Sequence, residues 1–288
     1  FLIISFLVVY ALWVNLSYAN LILILCDRYL GRGIEAIELM LSVFNPIKHG
    51  IKTPVWVNLA SGMIVVDYEQ NRLEETLELG EKLIPLVSHI SITEVIVNAY
   101  LYSARVSHIF DQKSKAKRLL DQLERILSLG DYKRFNSQII HEKMRQAIQD
   151  PAGNTAGQLY KRYHLADVIQ QGVWCKEAKL YEEHRERLAL ACVYGLIAKG
   201  RFEQAKDILN EIALALDKHN LPSRALVARS NLAMIAFRQG NSDAAIQQLK
   251  RLIDRYGLVC FSRTIFDEAP GLEKLFRHAI DKQALVVP

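Results

Sequence analysis

Cysteine is scarce and unpatterned. Cys26, Cys175, Cys192 and Cys260 have no short paired spacing, so no zinc signature or redox pair is read from them. A reduced, cytoplasmic setting is the simplest expectation, and Cys26 and Cys192 are expected as small core residues. Seven prolines and fourteen glycines in 288 residues leave no room for a long disordered segment. Runs of alternating apolar residues bounded by hairpin turns are missing, so strands are not expected. Neither sign of charge dominates: 36 basic and 31 acidic residues are interspersed, for a formal net charge of +5. Such mixing marks a solvated helical surface, whereas a nucleic-acid stripe needs basic residues on one face. The densest basic stretch, Lys113, Lys115, Lys117 and Arg118, opens a helix and reads as its exposed face.

Catalytic signatures are missing too. The sequence has no G-x-S-x-G elbow, no H-E-x-x-H and no G-x-x-x-x-G-K-[ST] phosphate loop. His141 and Glu142 are adjacent and therefore point to different helix faces. His184 lies beside Glu182 and Glu183 in a charged stretch ending at Arg187, expected as an exposed helix start rather than a metal site. Asp267 and Glu268 are neighbours on a turn and do not face one another. No enzyme, cofactor or metal is expected of this chain.

What is present is a repeat. Ala36, Thr76, Ala116 and Ala156 lie 40 positions apart, and Ala205 and Ala245 are again 40 apart. Seven positions after these come Val43, Leu83, Leu123, Tyr163, Ile212 and Leu252, all apolar. Three positions after come Leu39, Leu79, Leu119, Leu159 and Ile208, broken only by Gln248. These offsets share one helical face, on which a small residue lets a neighbouring helix approach. Five positions before the small residue stand Gly31, Asn71, Asp111, Pro151, Gly200 and Gly240, residues suited to ending a helix. Each unit reads as helix A, tight turn, helix B. The interval from Ala156 to Ala205 is 49, which places an insertion around Gly172, Val173, Trp174 and Cys175. The expectation is an all-α, tetratricopeptide-like right-handed superhelix, an α-solenoid of about six helix-turn-helix repeats. It forms one domain over residues 1–288, with turns near 31, 71, 111, 151, 200 and 240 and a closing segment over 257–280. Apolar content of 51% is ample for its core.

Phe1 to Cys26 carries no charge and is long enough to span a bilayer. Asn15, Ser17 and Asn20 interrupt it where a connection between repeats should fall, so two buried repeat helices are preferred to a membrane span. The chain begins at Phe1 rather than methionine, which reads as an excised piece.

The last third carries a more specific signal. It includes "RLALACVYGLIAKGRFEQAKDILNEI" and ends in "GLVCFSRTIFDEAPGLEKLF". These stretches resemble the tetratricopeptide-like sensor region of the large ATP-dependent LuxR-family transcription regulators, the MalT type. In that family a segment like Arg-x-Phe-x-Asp-Glu-Gly, followed by a Leu-rich helix, closes the array. Arg263, Phe266, Asp267 and Glu268 stand at matching positions, while Ala269 replaces the usual glycine and Pro270 follows. The resemblance implies a sensor array between a nucleotide-binding module and a C-terminal helix-turn-helix. Neither module is visible, and the eighteen residues after Pro270 are too few for the latter. ATP binding, DNA contact and self-association are therefore implied for the parent protein only.

Helix A lines the inner face in tetratricopeptide-like arrays, so polar residues there are the candidates for binding. Thirteen positions before each turn lie Tyr18, Asn58, Asn98, Gln138, Arg187 and Val227. Three on come Leu21, Ser61, Leu101, His141, Leu190 and Ser230, and seven on come Leu25, Val65, Arg105, Arg145, Tyr194 and Met234. The expected groove uses Asn58, Asn98, Gln138, His141 and Arg187 for directional hydrogen bonds. Arg105 and Arg145 form a fork for an anionic or hydroxyl-rich group, and Tyr194 a stacking surface. The expected partner is a small-molecule effector or regulatory protein. The alternatives are a stand-alone scaffold gripping a partner's helix or tail, or a membrane-anchored adaptor held by residues 1–26.

Overall fold

The chain is described by a computed structural model over residues 53–87, 93–149, 154–170 and 181–285, together with 38, 41, 42, 44 and 48. Phe1–Cys26, the turns at Gly31 and Pro151, and the insertion at 172–175 lie outside the described residues. Within them no strand occurs. Among the described residues no helix is long and apolar enough to cross a membrane.

The chain divides into two compact units, residues 1–125 and 126–288. The first contains α1 (Pro54–Glu69), α2 (Leu73–Val87), α3 (Thr93–Ile109) and all but the end of α4 (Lys113–Leu127). The second contains α5 (Lys133–Ala147), α6 (Asn154–Arg162), α7 (Leu165–Gln170), α8 (Glu183–Ala198), α9 (Phe202–Lys218), α10 (Pro222–Arg238) and α11 (Ser242–Tyr256). A 3-10 turn (Leu258–Cys260), α12 (Arg263–Glu268) and α13 (Leu272–Asp281) complete it. Helices pair as hairpins in the expected order, A then B. In the first unit α1 packs on α2 and α3, and α2 on α3. In the second, α5 packs on α8, α9 on α10, and α13 on both α10 and α11. This is the helix-pair arrangement of an α-solenoid.

The turns repeat in hydrogen bonding as well as in sequence. Asn71, Asp111, Gly200 and Gly240 all adopt left-handed φ, between 58° and 83°. At each, the turn N–H bonds three residues back and the next N–H five residues back: Asn71 to Tyr68 and Arg72 to Asp67, Asp111 to His108 and Gln112 to Ser107. Gly200 and Arg201 do the same to Ile197 and Leu196, and Gly240 and Asn241 to Phe237 and Ala236. These paired bonds satisfy carbonyls that a helix end leaves open. Asn220 (φ 56°) ends α9 in the same way between repeats.

The small-residue column is equally regular. Thr76, Ala116, Ala156, Ala205 and Ala245 are all wholly buried. Seven on, Leu83, Leu123, Ile212 and Leu252 are buried and Tyr163 is half-buried. The row three on is a weaker part of the seam than its composition implies. Leu119 and Ile208 are buried but Leu79, Leu159 and Gln248 are only half-buried, while Gly80, Leu120, Tyr160, Leu209 and Leu249, four on, are all buried. A period of 3.6 lets either offset face the neighbour, and closer packing at the later one decides. Gly80 shows how close: a Cβ there would lie 2.0 Å from Ser103 Oγ on α3. The basic stretch of α4 lies on its outer face, with Lys115 paired to Glu81 at 2.6 Å.

Candidate functional site

The A helices of the second unit carry charge into its interior. α12 is the element that organises it. This short helix contributes Phe266 to an aromatic cluster with Phe261 and Phe276, whose ring centroids lie 5.2–6.5 Å apart. It ends with Glu268 fully buried. Glu268 accepts from Arg187 Nη1 on α8 at 2.9 and 3.0 Å and from Arg224 Nη1 on α10 at 2.8 Å. Its carbonyl accepts from Tyr194 Oη at 2.7 Å and from Asn231 Nδ2 at 2.7 Å. The preceding carbonyl, of Asp267, accepts from Arg145 Nη1 at 3.4 Å, and that of Pro270 from Arg238 Nη2 at 3.2 Å.

A second ring of partners holds these donors. Arg224 also donates to Glu186 at 2.6 and 2.9 Å, and Tyr181 donates its hydroxyl to the same carboxylate. Arg187 lies 3.5 Å from Glu183, which accepts from Arg134 at 2.6 Å and from Gln138 at 2.7 Å. Arg145 is held on α5 by Glu142, its Nε donating at 2.9 Å. Tyr194 gives its proton to the Glu268 carbonyl, so at 3.2 Å it accepts from His141 Nε2. Burial disfavours ionisation of Glu183, but Arg187 and Arg134 outweigh it and hold the carboxyl at about 2. Burial pushes the Tyr194 hydroxyl up, with the charge of Glu268 adding to it, and burial beside Glu186 does the same to Tyr181. Burial and its like-charged neighbour Arg224 oppose protonation of Arg187, but Glu268, Glu183 and Glu186 keep it firmly cationic.

Of the eight residues selected from sequence, five lie in this unit. Gln138, His141, Arg145, Arg187 and Tyr194 are brought together, and each is bonded to a carboxylate, to a ring or to the closing segment. The other three belong to the first unit. Asn58 and Asn98 are buried on α1 and α3. Arg105 is buried with its guanidinium 5.6 and 5.3 Å from the ring centres of Tyr68 and Tyr102, which meet edge to face at 5.0 Å.

One expectation needs correction. The charged stretch from Glu182 to Arg187 is not simply an exposed helix start. Glu182, His184 and Arg185 are half-buried, whereas Glu186 and Arg187 are buried and Glu183 pairs inward. Opposite charges arriving from α5, α10 and α12 make that burial possible. In the closing segment, where Ala269 stands in place of the family's glycine, the left-handed residue is Gly271 (φ 101°), and Ala269 is wholly buried. Arg224, Glu186, Glu142 and Asn231 were not singled out by column. Arg224 and Asn231 stand among the apolar residues of α10, whereas Glu142 and Glu186 lie in charged stretches that gave no signal.

No protein-family model matches the chain, and a search of curated proteins gives no match. Among solved structures it is similar to a chain of nearly identical tetratricopeptide-like repeats from Podosopora anserina, provisionally assigned as a kinesin light chain. The identity is 18% over 70% of this chain and 95% of that one, with a TM-score of 0.48.

Proposed function

We propose that the chain is the helical sensor array of a LuxR-family, MalT-type transcription regulator, a binding region rather than an enzyme. The observation that carries this reading is the closing motif. Arg263, Phe266, Asp267 and Glu268, the residues of the resemblance, build one short helix whose acid and carbonyls are gripped by three A helices. The regulator is a reduced, cytoplasmic protein. An effector or a regulatory protein binds it with different affinity in two arrangements, which is the condition for any shift between them. ATP and DNA belong to modules outside this chain, and self-association to the whole regulator. An effector that uses Gln138, His141, Arg145, Arg187 or Tyr194 must displace bonds those residues already make. One that uses Asn58, Asn98 or Arg105 must open the first unit's interior.

The test is the product of the whole reading frame. The expected result is ATP-dependent association by light scattering and DNA binding by mobility shift, both altered by a ligand that also shifts the thermal unfolding of this chain. A product that binds neither nucleotide nor DNA refutes the regulator reading.

A further inference from the structure

Residues 258–270 run between two glycines of positive φ, Gly257 (78°) and Gly271 (101°). Both conformations favour glycine and allow the backbone to pivot with little side-chain hindrance. The stretch between them is a strap, held in the apolar core by Ile265 and Ala269 and fixed at its C-terminal end by polar contacts. Its main-chain carbonyls at 267, 268 and 270 take donors from Arg145, Tyr194, Asn231 and Arg238. Its acid takes donors from Arg187 and Arg224. Donors aimed at the carbonyls of a helix end, with a two-guanidinium clamp for one carboxylate, are chemistry by which a protein holds an acidic segment.

The charges say what the cradle demands once the strap has left. Glu183 is divided between Arg134 and Arg187, and Glu186 holds Arg224. Without Glu268, three guanidiniums face two carboxylates, and two of the three, Arg187 and Arg224, are buried. A neutral or basic segment leaves that surplus uncompensated, and only an acidic one cancels it.

We propose that the strap is a ligand held in cis, and that the cradle beneath it receives an acidic segment of a partner protein by exchange with residues 263–270. The site is then a recognition surface kept closed until a competing Asp- or Glu-bearing peptide displaces Glu268. This goes beyond the regulator reading and stands without it, because it concerns only bonds within the second unit.

The experiment uses the full chain, its E268Q variant and two fluorescein-labelled peptides. One peptide carries residues 260–271 of this sequence, and the other is the same with glutamine at 268. In E268Q the strap loses its charge and the cradle keeps its surplus. Fluorescence anisotropy is expected to show the glutamate peptide binding E268Q at least tenfold tighter than the unsubstituted chain. The glutamine peptide should bind E268Q at least tenfold more weakly than the glutamate peptide does. A folded E268Q chain that binds neither peptide, or both equally, overturns the proposal. Light scattering distinguishes the occupant. Concentration-dependent dimers of E268Q, formed by exchanging straps, would assign the cradle to a second copy and overturn the partner reading. Hydrogen exchange on the unsubstituted chain gives an answer even if E268Q fails to fold. Amides of 263–269 are expected to exchange at least tenfold faster than those of α10 and α11, and exchange only together with those helices overturns the proposal.

Discussion

Gly195→Ala separates close helix approach from helix propensity. Gly195 lies inside α8, where alanine alone would stabilise by about 1 kcal/mol. A Cβ there would sit 2.2 and 2.7 Å from Cδ2 and Cε2 of Tyr160 on α6 and 3.3 Å from Met144 Cε. The ring has little room to yield. It is buried, it occupies the seam position four after Ala156, and Lys199 Nζ sits 3.6 Å from its centroid on one side. Overpacking of this kind costs about 1–3 kcal/mol, and ring contacts this short place the cost at the upper end. The net expectation is a loss of roughly 2 kcal/mol, or about 4–8 °C in Tm for a unit of this size. Gly157→Ala on α6 is the control, because nothing lies within 4 Å of its Cβ. That variant should gain up to about 1 kcal/mol. Urea unfolding followed by circular dichroism measures both. Gly195→Ala as stable as the unsubstituted chain, or the two variants moving together, would refute the close-approach reasoning.

Acid should loosen the second unit through Glu183. Its folded pKa lies near 2 against an ordinary 4.5, so its contribution of about 3 kcal/mol is complete above pH 4.5 and disappears as pH falls toward 2; unfolding free energy against pH, compared with Glu183→Gln, reads it. Arg224→Leu strips a partner from two buried carboxylates, Glu186 and Glu268, and should cost about 3–5 kcal/mol by urea melt. Replacing Arg187, Arg224, Glu186 and Glu268 together by Met, Leu, Met and Met removes both guanidiniums and both carboxylates they hold, while Glu183 keeps Arg134 and Gln138, and should cost less than Arg224→Leu alone in the same assay. Gly240→Ala meets no side chain but forces alanine to φ 83°, which should cost about 1–2 kcal/mol.

Much of the fold was legible because a helical repeat writes the same local problem several times. The residues at 71, 111, 200 and 240 share no single identity, yet all tolerate a left-handed turn, and all adopt one. The buried column at 76, 116, 156, 205 and 245 was equally plain, since only a small side chain suits it. The seam offset was less so. Apolar residues stand at both three and four after the small residue in most repeats, and Gln248 beside buried Leu249 was the one place where the sequence chose. The site was legible in its membership and not in its partners. Spacing put Gln138, His141 and Arg145 on one face of α5, but Arg187 and Glu268 are 81 residues apart, and no periodicity predicts that meeting.

The chemistry of that meeting explains why charge sits where apolar side chains would serve stability as well. The α10–α11 pair presents an apolar face, and α13 covers it with Leu272, Leu275, Phe276 and Ala279. Apolar contact alone is non-directional. An amphipathic helix of ten residues held only that way has several rotations and slides of similar energy. Glu268 sits four residues before α13 and has one position that satisfies Arg187 and Arg224 at once, while its carbonyl meets Tyr194 and Asn231. Any slide of the segment leaves a buried guanidinium or carboxylate unpaired, a penalty of several kcal/mol. The polar clamp therefore selects one register for the apolar cap. The same directionality makes the register breakable, since a competitor need only supply a carboxylate and three carbonyls at the same spacing.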